Sequence, residues 1–162
     1  MSDVAEWWQT SIIDMEPGRI SIRGHEIQDL IGNLSFAEMV WLMLCGVKPE
    51  AGQARLLEAA LVASVDHGPQ APSIAAARMA VTCGLGLNGA MGTAVHMLDD
   101  VHGGAGEQLV EWLHRLVGGG QESNLGTQIT AYQTDINKFI PGFGHRFHKP
   151  EDPRAPRLMA LV

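Results

Sequence analysis

The amino-acid sequence predicts an all-α protein. Apolar residues recur at the three-to-four-residue spacing of amphipathic helices along most of the chain. Helix-start and helix-stop residues bracket these segments, and strand-like alternation is confined to one short stretch, so the rhythm of a parallel βαβ sheet is missing. The 162 residues are 46% hydrophobic and 18% charged. Such a chain suits one helical domain over residues 1–162 with a core of its own.

The first predicted elements lie within residues 17–30. A Pro-Gly pair at its start indicates a turn. Ile20 and Ile22 then alternate with polar residues, which permits a short extended piece. A short helix is expected to begin near Ile27.

The clearest helix is predicted over residues 35–44. Ser35 and Glu38 form an S-x-x-E capping box, in which each side chain accepts a hydrogen bond from the other residue's backbone amide. Gly46 is expected to end the helix. Four apolar side chains are expected on one face: Phe36, Met39, Val40 and Met43.

Six further helices follow from the same signals. They are predicted over residues 49–64, 73–83, 88–98, 104–117 and 127–139, with a last one starting at Asp152 and Pro153. The residues expected to face inward are Leu57, Ala60, Leu61, Leu109, Trp112, Leu113 and Leu116. Gly118, Gly119 and Gly120 predict a loop, and Pro141 with Gly142 should stop the helix before them.

Charge and composition exclude several classes of partner. The net charge of −7 and the pI of about 5.4 argue against nucleic-acid binding, which needs a basic face. No apolar run approaches the 18 residues of a membrane span, and no signal peptide is recognised. Cys45 and Cys83 are interpreted as small buried hydrophobes rather than a disulfide or metal ligands. A cytoplasmic location is expected.

Three histidines lie beside glycines in predicted turns. They are His67 in VDHGP, His102 in VHGGAG and His145 in PGFGHRFHK. Glycine neighbours allow a ligand to approach the backbone, and the helix after residue 104 favours negative charge at its start. For any one of them a capping or surface role is as good an interpretation, but three matching contexts favour a shared function. Arg154 could hold a carboxylate through two hydrogen bonds, but its sequence context alone favours an ordinary surface arginine.

A metal site is a weaker interpretation of the same region. His96, Asp99, Asp100 and His102 lie close together in the sequence. Their spacing matches no specific metal signature, so no metal is expected.

Three segments resemble the citrate synthase and citryl-CoA lyase superfamily. Citrate synthases carry a G-[FY]-G-H-R-x-x-K-x-x-DPR stretch that residues 141–155 closely resemble. Their L-H-G-G-A-N-E turn is similar to residues 101–107, and their N-terminal segment to residues 18–49. The order and spacing agree over nearly the whole chain. The resemblance implies a multi-helical citrate synthase-like fold and a homodimer or higher homo-oligomer.

The resemblance leaves the direction of the reaction open. The D-H-G-P turn at residues 66–69 looks like that of citryl-CoA lyase, whereas synthases usually have Glu after the histidine. His102 differs from the Phe that the ATP-citrate lyase module carries in that turn. Cleavage of citryl-CoA to acetyl-CoA and oxaloacetate is the first expectation. A citrate or 2-methylcitrate synthase is the alternative, and a non-catalytic relative that binds CoA or a partner helix is the second alternative.

The resemblance also implies roles for individual residues. His102 would donate to the thioester oxygen, His145 to the oxaloacetate carbonyl or the citryl hydroxyl, and His67 would hold a carboxylate or the hydroxyl. Arg154 would bind a carboxylate. The CoA-binding residues would be Pro141, Gly142, Phe143, Gly144, Arg146 and Lys149. The CoA thioester is a substrate here, and no cofactor is expected.

One departure from the family affects activity. The family's general base is an Asp in a later segment, and neither Asp135 nor Asp152 matches that motif. The chain is therefore expected to lack the C-terminal catalytic segment of the family and to show little or no full-rate catalysis alone.

Overall fold

Helices form most of the structure, a computed structural model that describes residues 4–118, 124–136 and 138–162. The helices are α1 Val4–Trp7, α2 Ile27–Leu30, α3 Phe36–Cys45, α4 Ala51–Ala63, α5 Pro72–Thr82, α6 Leu87–Val95, α7 Ala105–Gly118, α8 Leu125–Asp135 and α9 Arg154–Met159. The predicted all-α class is confirmed. Within the described residues no helix is long and apolar enough to cross a membrane.

A small antiparallel sheet near the N-terminus goes beyond the single extended piece expected from the sequence. Its strands are β1 Ile13–Glu16, β2 Arg19–Ile22 and β3 His25–Glu26, in the order β1-β2-β3. Each strand pairs with its neighbour in the chain through a tight turn. Because no strand exceeds four residues, the alternating pattern is too short to stand out in the sequence.

Arg19 joins the three strands of this sheet. Its guanidinium lies 3.0 Å from Glu26 Oε1 and 3.2 Å from Asp14 Oδ2. The hydrogen bond to Glu26, followed by the charges of Glu26 and Asp14, raises the pKa of Arg19. These ion pairs are exposed, so they contribute little to stability.

The capping box at the start of α3 is confirmed. The Glu38 amide donates to Ser35 Oγ at 3.3 Å, and the Ser35 amide donates to Glu38 Oε2 at 2.7 Å. The hydrogen bond from the Ser35 amide, and after it the interaction with the Ser35 side chain, lower the pKa of Glu38. Gly46 ends the helix with φ of 77°, a left-handed conformation that glycine adopts without steric cost.

The face that α3 buries matches the prediction only in part, since Met39, Val40 and Met43 are half-buried. Ala37 and Leu42 are 1% and 0% exposed, whereas Phe36 is 81% exposed. Apart from Glu38 and Cys45, the helix consists of apolar residues. The spacing of apolar residues therefore does not distinguish one face of α3 from another. The packing of neighbouring elements decides which face is buried.

Predicted burial was also wrong for two residues of α4 and for both cysteines. Ala60 and Leu61 of α4 are exposed, while Leu57 is half-buried. Cys45 and Cys83 are free and exposed rather than buried. Both cysteines lie where a helix ends, and so one side of each faces solvent rather than a packed neighbour.

Helices α7 and α8 also differ from the prediction, in which side chains are buried and in where the helix ends. On α7, Leu109, Trp112 and Leu116 are half-buried, but Leu113 is 43% exposed. The helix α8 ends at Asp135, earlier than the predicted Phe139. The predicted glycine loop is only partly described: Gly118 closes α7, and Gly119 and Gly120 lie outside the described residues.

The chain divides into two compact units. The first contains Met1–Val65 and Arg154–Val162, and the second contains Asp66–Pro153. In the first unit, α9 packs against α4. In the second, α5 packs against α6. The assignment of residues 1–162 to one domain stays a prediction.

Candidate functional site

All three predicted site histidines belong to the second unit. His67 lies in an exposed turn. Asp66 Oδ1 accepts a hydrogen bond from the Gly68 amide at 2.9 Å, and Gly68 has φ of 78°. This local bond shapes the turn and leaves the His67 side chain exposed to solvent.

The turn that carries His102 depends on two glycines. Gly103 adopts φ of 111°, which a residue with a side chain rarely adopts. A Cβ on Gly104 would lie 2.7 Å from both the Cα and the carbonyl oxygen of Asp100. The Asp99 amide donates to the His102 carbonyl at 3.0 Å, and the Gly104 amide donates to the Asp99 carbonyl at 3.1 Å. These contacts hold the His102 backbone in one conformation.

The acidic residues before His102 serve this turn. Asp99 Oδ1 accepts a hydrogen bond from the Asp100 amide at 2.9 Å. The Asp100 carbonyl accepts one from Gln108 Nε2 at 3.0 Å. The first bond gives the Asp99 side chain a role in the turn, which is the interpretation that competes with a metal site, whereas Asp100 takes part through its backbone.

The imidazole of His102 contacts the first turn of α5. Its Nε2 lies 3.3 Å from the Ser73 amide nitrogen and 3.0 Å from Ser73 Oγ. Both residues are half-buried. A backbone amide can only donate, so Nε2 is the acceptor in this pair and the Ser73 hydroxyl donates as well. The neutral ring then carries its proton on Nδ1, which remains a hydrogen-bond donor.

His145 is held by backbone amides in a comparable way. Its Nδ1 accepts hydrogen bonds from the Phe147 amide at 3.1 Å and from the His148 amide at 3.2 Å. Gly144, just before it, has φ of 79°, which permits the sharp turn. The neutral ring of this half-buried residue therefore carries its proton on Nε2. His102 and His145 thus each present one N–H donor, although through opposite ring nitrogens.

Arg154 belongs to the first unit. It is half-buried at the start of α9, where its Nη1 donates to the Ala63 carbonyl at 3.4 Å. It has a further interaction besides this one. The structure therefore gives this arginine a packing contact within its own unit, and its substrate role stays a prediction.

The predicted CoA-binding segment borders a cavity. The cavity has a volume of about 500 Å³. Phe143 and Gly144 contribute to its wall, together with side chains of α7 and α8. Pro141 is half-buried, Gly142 is exposed, and Arg146 and Lys149 are exposed close by in the chain. The wall is largely apolar and includes one cation, Lys138, and such a wall suits a flat ring system.

Ser73 is the site residue that sequence reasoning missed. It was interpreted only as the start of a helix, and its contact with His102 spans 29 residues. A serine that follows the His-Gly-Pro turn by a few residues is the only local signal. That His67, His102 and His145 converge on one substrate stays a prediction.

Comparisons with known proteins identify the family. A family model described as the C-terminal domain of citrate synthase matches residues 43–162. A citrate synthase of Deinococcus radiodurans is 33% identical over 137 residues, which are 82% of this chain and 35% of that protein. The chain spans between a quarter and about a third of the length of the curated relatives it matches.

Solved structures give the same fold. Citryl-CoA lyase from Hydrogenobacter thermophilus superposes with a TM-score of 0.84 at 36% identity, covering 95% of this chain and 59% of that one. ATP citrate lyase from Methanosaeta concilii also gives 0.84, at 17% identity over 99% of this chain and 28% of that one. The second likeness concerns the fold alone. The family match over most of the chain is decisive: the chain belongs to the citrate synthase and citryl-CoA lyase superfamily.

Proposed function

We propose that this protein cleaves citryl-CoA to acetyl-CoA and oxaloacetate. The observation that carries the proposal is the pair of imidazoles, His102 and His145, each held by backbone amides so that one N–H donor remains. The D-H-G-P turn at residues 66–69 and the 36% identity to a citryl-CoA lyase over 95% of the chain support cleavage. The 33% identity to a citrate synthase supports the same chemistry in the opposite direction.

The reaction places negative charge on two oxygens. The citryl hydroxyl gives its proton to a water molecule, the carbon–carbon bond breaks, and the electron pair of that bond becomes the enolate of the acetyl thioester. The hydroxyl carbon becomes the ketone of oxaloacetate, and the enolate carbon then takes a proton. Donors aimed at the thioester oxygen and the hydroxyl oxygen lower this barrier, typically by about 3–4 kcal/mol for one donor.

The two held histidines suit these tasks. His102 would donate from Nδ1 to the thioester oxygen, and His145 would donate from Nε2 to the hydroxyl or ketone oxygen. A neutral imidazole whose other nitrogen accepts from an amide is preorganised, since it does not need to reorient during the reaction. His67 and Arg154 would hold the carboxylates, and the residues from Pro141 to Gly144, with Arg146 and Lys149, would bind CoA.

Ser73 is proposed as a positioning residue for His102. Ser73→Ala keeps the amide contact and removes the hydroxyl, so the ring loses one of two donors that fix its tautomer. We expect kcat to fall by roughly tenfold, the cost of about 1.4 kcal/mol, with KM little changed. Ser73→Thr should restore much of the rate, and Ser64→Ala, at the residue that follows α4, serves as a control outside this contact.

A product assay separates cleavage from synthesis. The chain is supplied with citryl-CoA alone and, separately, with acetyl-CoA plus oxaloacetate, while oxaloacetate and free thiol are followed. Oxaloacetate formed from citryl-CoA without thiol release supports the proposal, even at the low rate expected of this chain. Thiol released from acetyl-CoA would establish a synthase instead. CoA binding with neither product would favour the non-catalytic alternative.

Exposed apolar side chains support self-association. Met79 on α5 and Met91 and Val95 on α6 are 66%, 60% and 61% exposed, on two helices that pack against each other. Large apolar side chains that are exposed together on a protein surface often mark an interaction site. We expect a homodimer or higher homo-oligomer, to be measured by light scattering coupled to size exclusion, and Met91→Lys should shift it towards monomer.

A further inference from the structure

We propose that His145, His148 and Asp152 form a binding site for a divalent transition-metal ion such as Zn²⁺. One ligand atom from each residue lies within 4.8 Å of the other two. The two imidazole rings are 4.6 Å apart between centroids, with 33° between their planes. His145 and Asp152 are half-buried and His148 is exposed. The three residues therefore converge from one side of a single loop.

The ligand set selects the class of metal. Two imidazole nitrogens and one carboxylate oxygen suit Zn²⁺, Co²⁺ or Ni²⁺, whereas Mg²⁺ and Ca²⁺ prefer oxygen ligands throughout. With metal–ligand bonds of about 2.0–2.1 Å, tetrahedral ligand atoms are about 3.4 Å apart. The ligand atoms, which lie within 4.8 Å of one another, must therefore move closer by up to about 1.4 Å to reach that geometry. The exposed His148 side chain can supply this movement by rotating.

Metal binding changes what His145 can do. An ion at Nδ1 would displace the hydrogen bonds from the Phe147 and His148 amides. An ion at Nε2 would displace the proton that this nitrogen carries. An ion at Nε2 therefore stops donation from that nitrogen, whereas an ion at Nδ1 leaves the Nε2 proton in place but releases the ring from the two amides that orient it. In both cases the ion alters the imidazole that the substrate would contact, so metal binding should inhibit cleavage. This inhibition rests on the proposed function, whereas the metal site itself does not.

The test measures Zn²⁺ binding to the full chain by titration calorimetry in the absence of any substrate. We expect one ion per chain and at least a tenfold weaker affinity for His148→Ala. His114→Ala, which removes an exposed histidine of α7, is the matched control and should bind as the unaltered chain does. Co²⁺ should give the visible absorption of a site with nitrogen ligands, and Mg²⁺ should not displace it.

Two results would overturn the proposal: no Zn²⁺ binding by the unaltered chain, or equal affinity for it and for His148→Ala. Since His148 is exposed, its loss should leave the helical circular dichroism unchanged, which is checked for each variant. Asp152→Asn provides a second, independent test of the ligand set. Because no substrate is present, a failure of the lyase assay leaves this outcome unaffected, and the reverse also holds.

Discussion

Backbone amides are used differently at the start of α3 and in the histidine turns. At α3 the amides of Ser35 and Glu38 bond to each other's side chains, three residues apart, and the result is a stable helix end. In the second unit the amide of Ser73 bonds to His102, and two amides bond to His145. There the partner is an imidazole, whose tautomer the bonds select. The first arrangement stabilises the end of a helix, and the second fixes the orientation of an imidazole ring.

The largest expected effect on stability lies in the first unit. Leu42→Ala removes a fully buried side chain and should lower the free energy of unfolding by about 2–5 kcal/mol. Phe36→Ala, on the same helix but 81% exposed, is the control and should cost far less. Urea unfolding followed by circular dichroism measures both. Equal losses for the two variants would contradict the burial described for α3.

A glycine in the His102 turn should give the next largest effect. Gly104→Ala places a Cβ 2.7 Å from the Asp100 backbone, so the turn must open, at about 1–3 kcal/mol of unfolding free energy. Gly106→Ala, in α7 with nothing within 4 Å of the added atom, should instead gain up to about 1 kcal/mol. Thermal unfolding of both variants checks this. A midpoint for Gly104→Ala that is unchanged or raised would contradict the close approach of residue 104 to the Asp100 backbone.

The smallest expected effect concerns the pH dependence of the α3 cap. Hydrogen bonds from Ser35 lower the pKa of Glu38 below its ordinary value of 4.5. The charged form therefore stabilises the folded state above pH 4.5, and this contribution is lost as the pH falls through the lowered pKa. Glu38→Gln should remove that part of the acid destabilisation, in urea titrations from pH 7 to 3. Glu58→Gln on α4 is the control, and a pH profile unchanged by Glu38→Gln would refute the cap's charge dependence.

Local features of the fold were predictable from sequence, and distant ones were not. The capping box needs only Ser35 and Glu38, and the helix-ending Gly46 is equally local. The buried side of α3 was not predictable because almost every position is apolar, so Phe36 looked as suitable as Leu42. The three-stranded sheet was not predicted for a related reason, since strands of at most four residues are too short to show an alternating pattern of apolar residues.

In the candidate site, too, local features could be predicted from the sequence and distant contacts could not. The turns of His102 and His145 can be recognised in the sequence, because the positive φ at Gly103 and Gly144 favours glycine at those positions. The partner of His102 is not visible in this way. Ser73 reaches it across 29 residues, a contact that depends on how α5 packs and that no spacing rule supplies.

The first unit is assembled from both ends of the described chain. Its helix α9 packs on α4, and Arg154 bonds to Ala63 across 91 residues. Pairing such distant segments requires closure of a long loop, which slows folding. On the ribosome, all of residues 66–153 emerge before α9 can dock. The surface of α4 that α9 covers therefore stays open throughout that interval, and a chaperone or a misplaced helix could occupy it during synthesis.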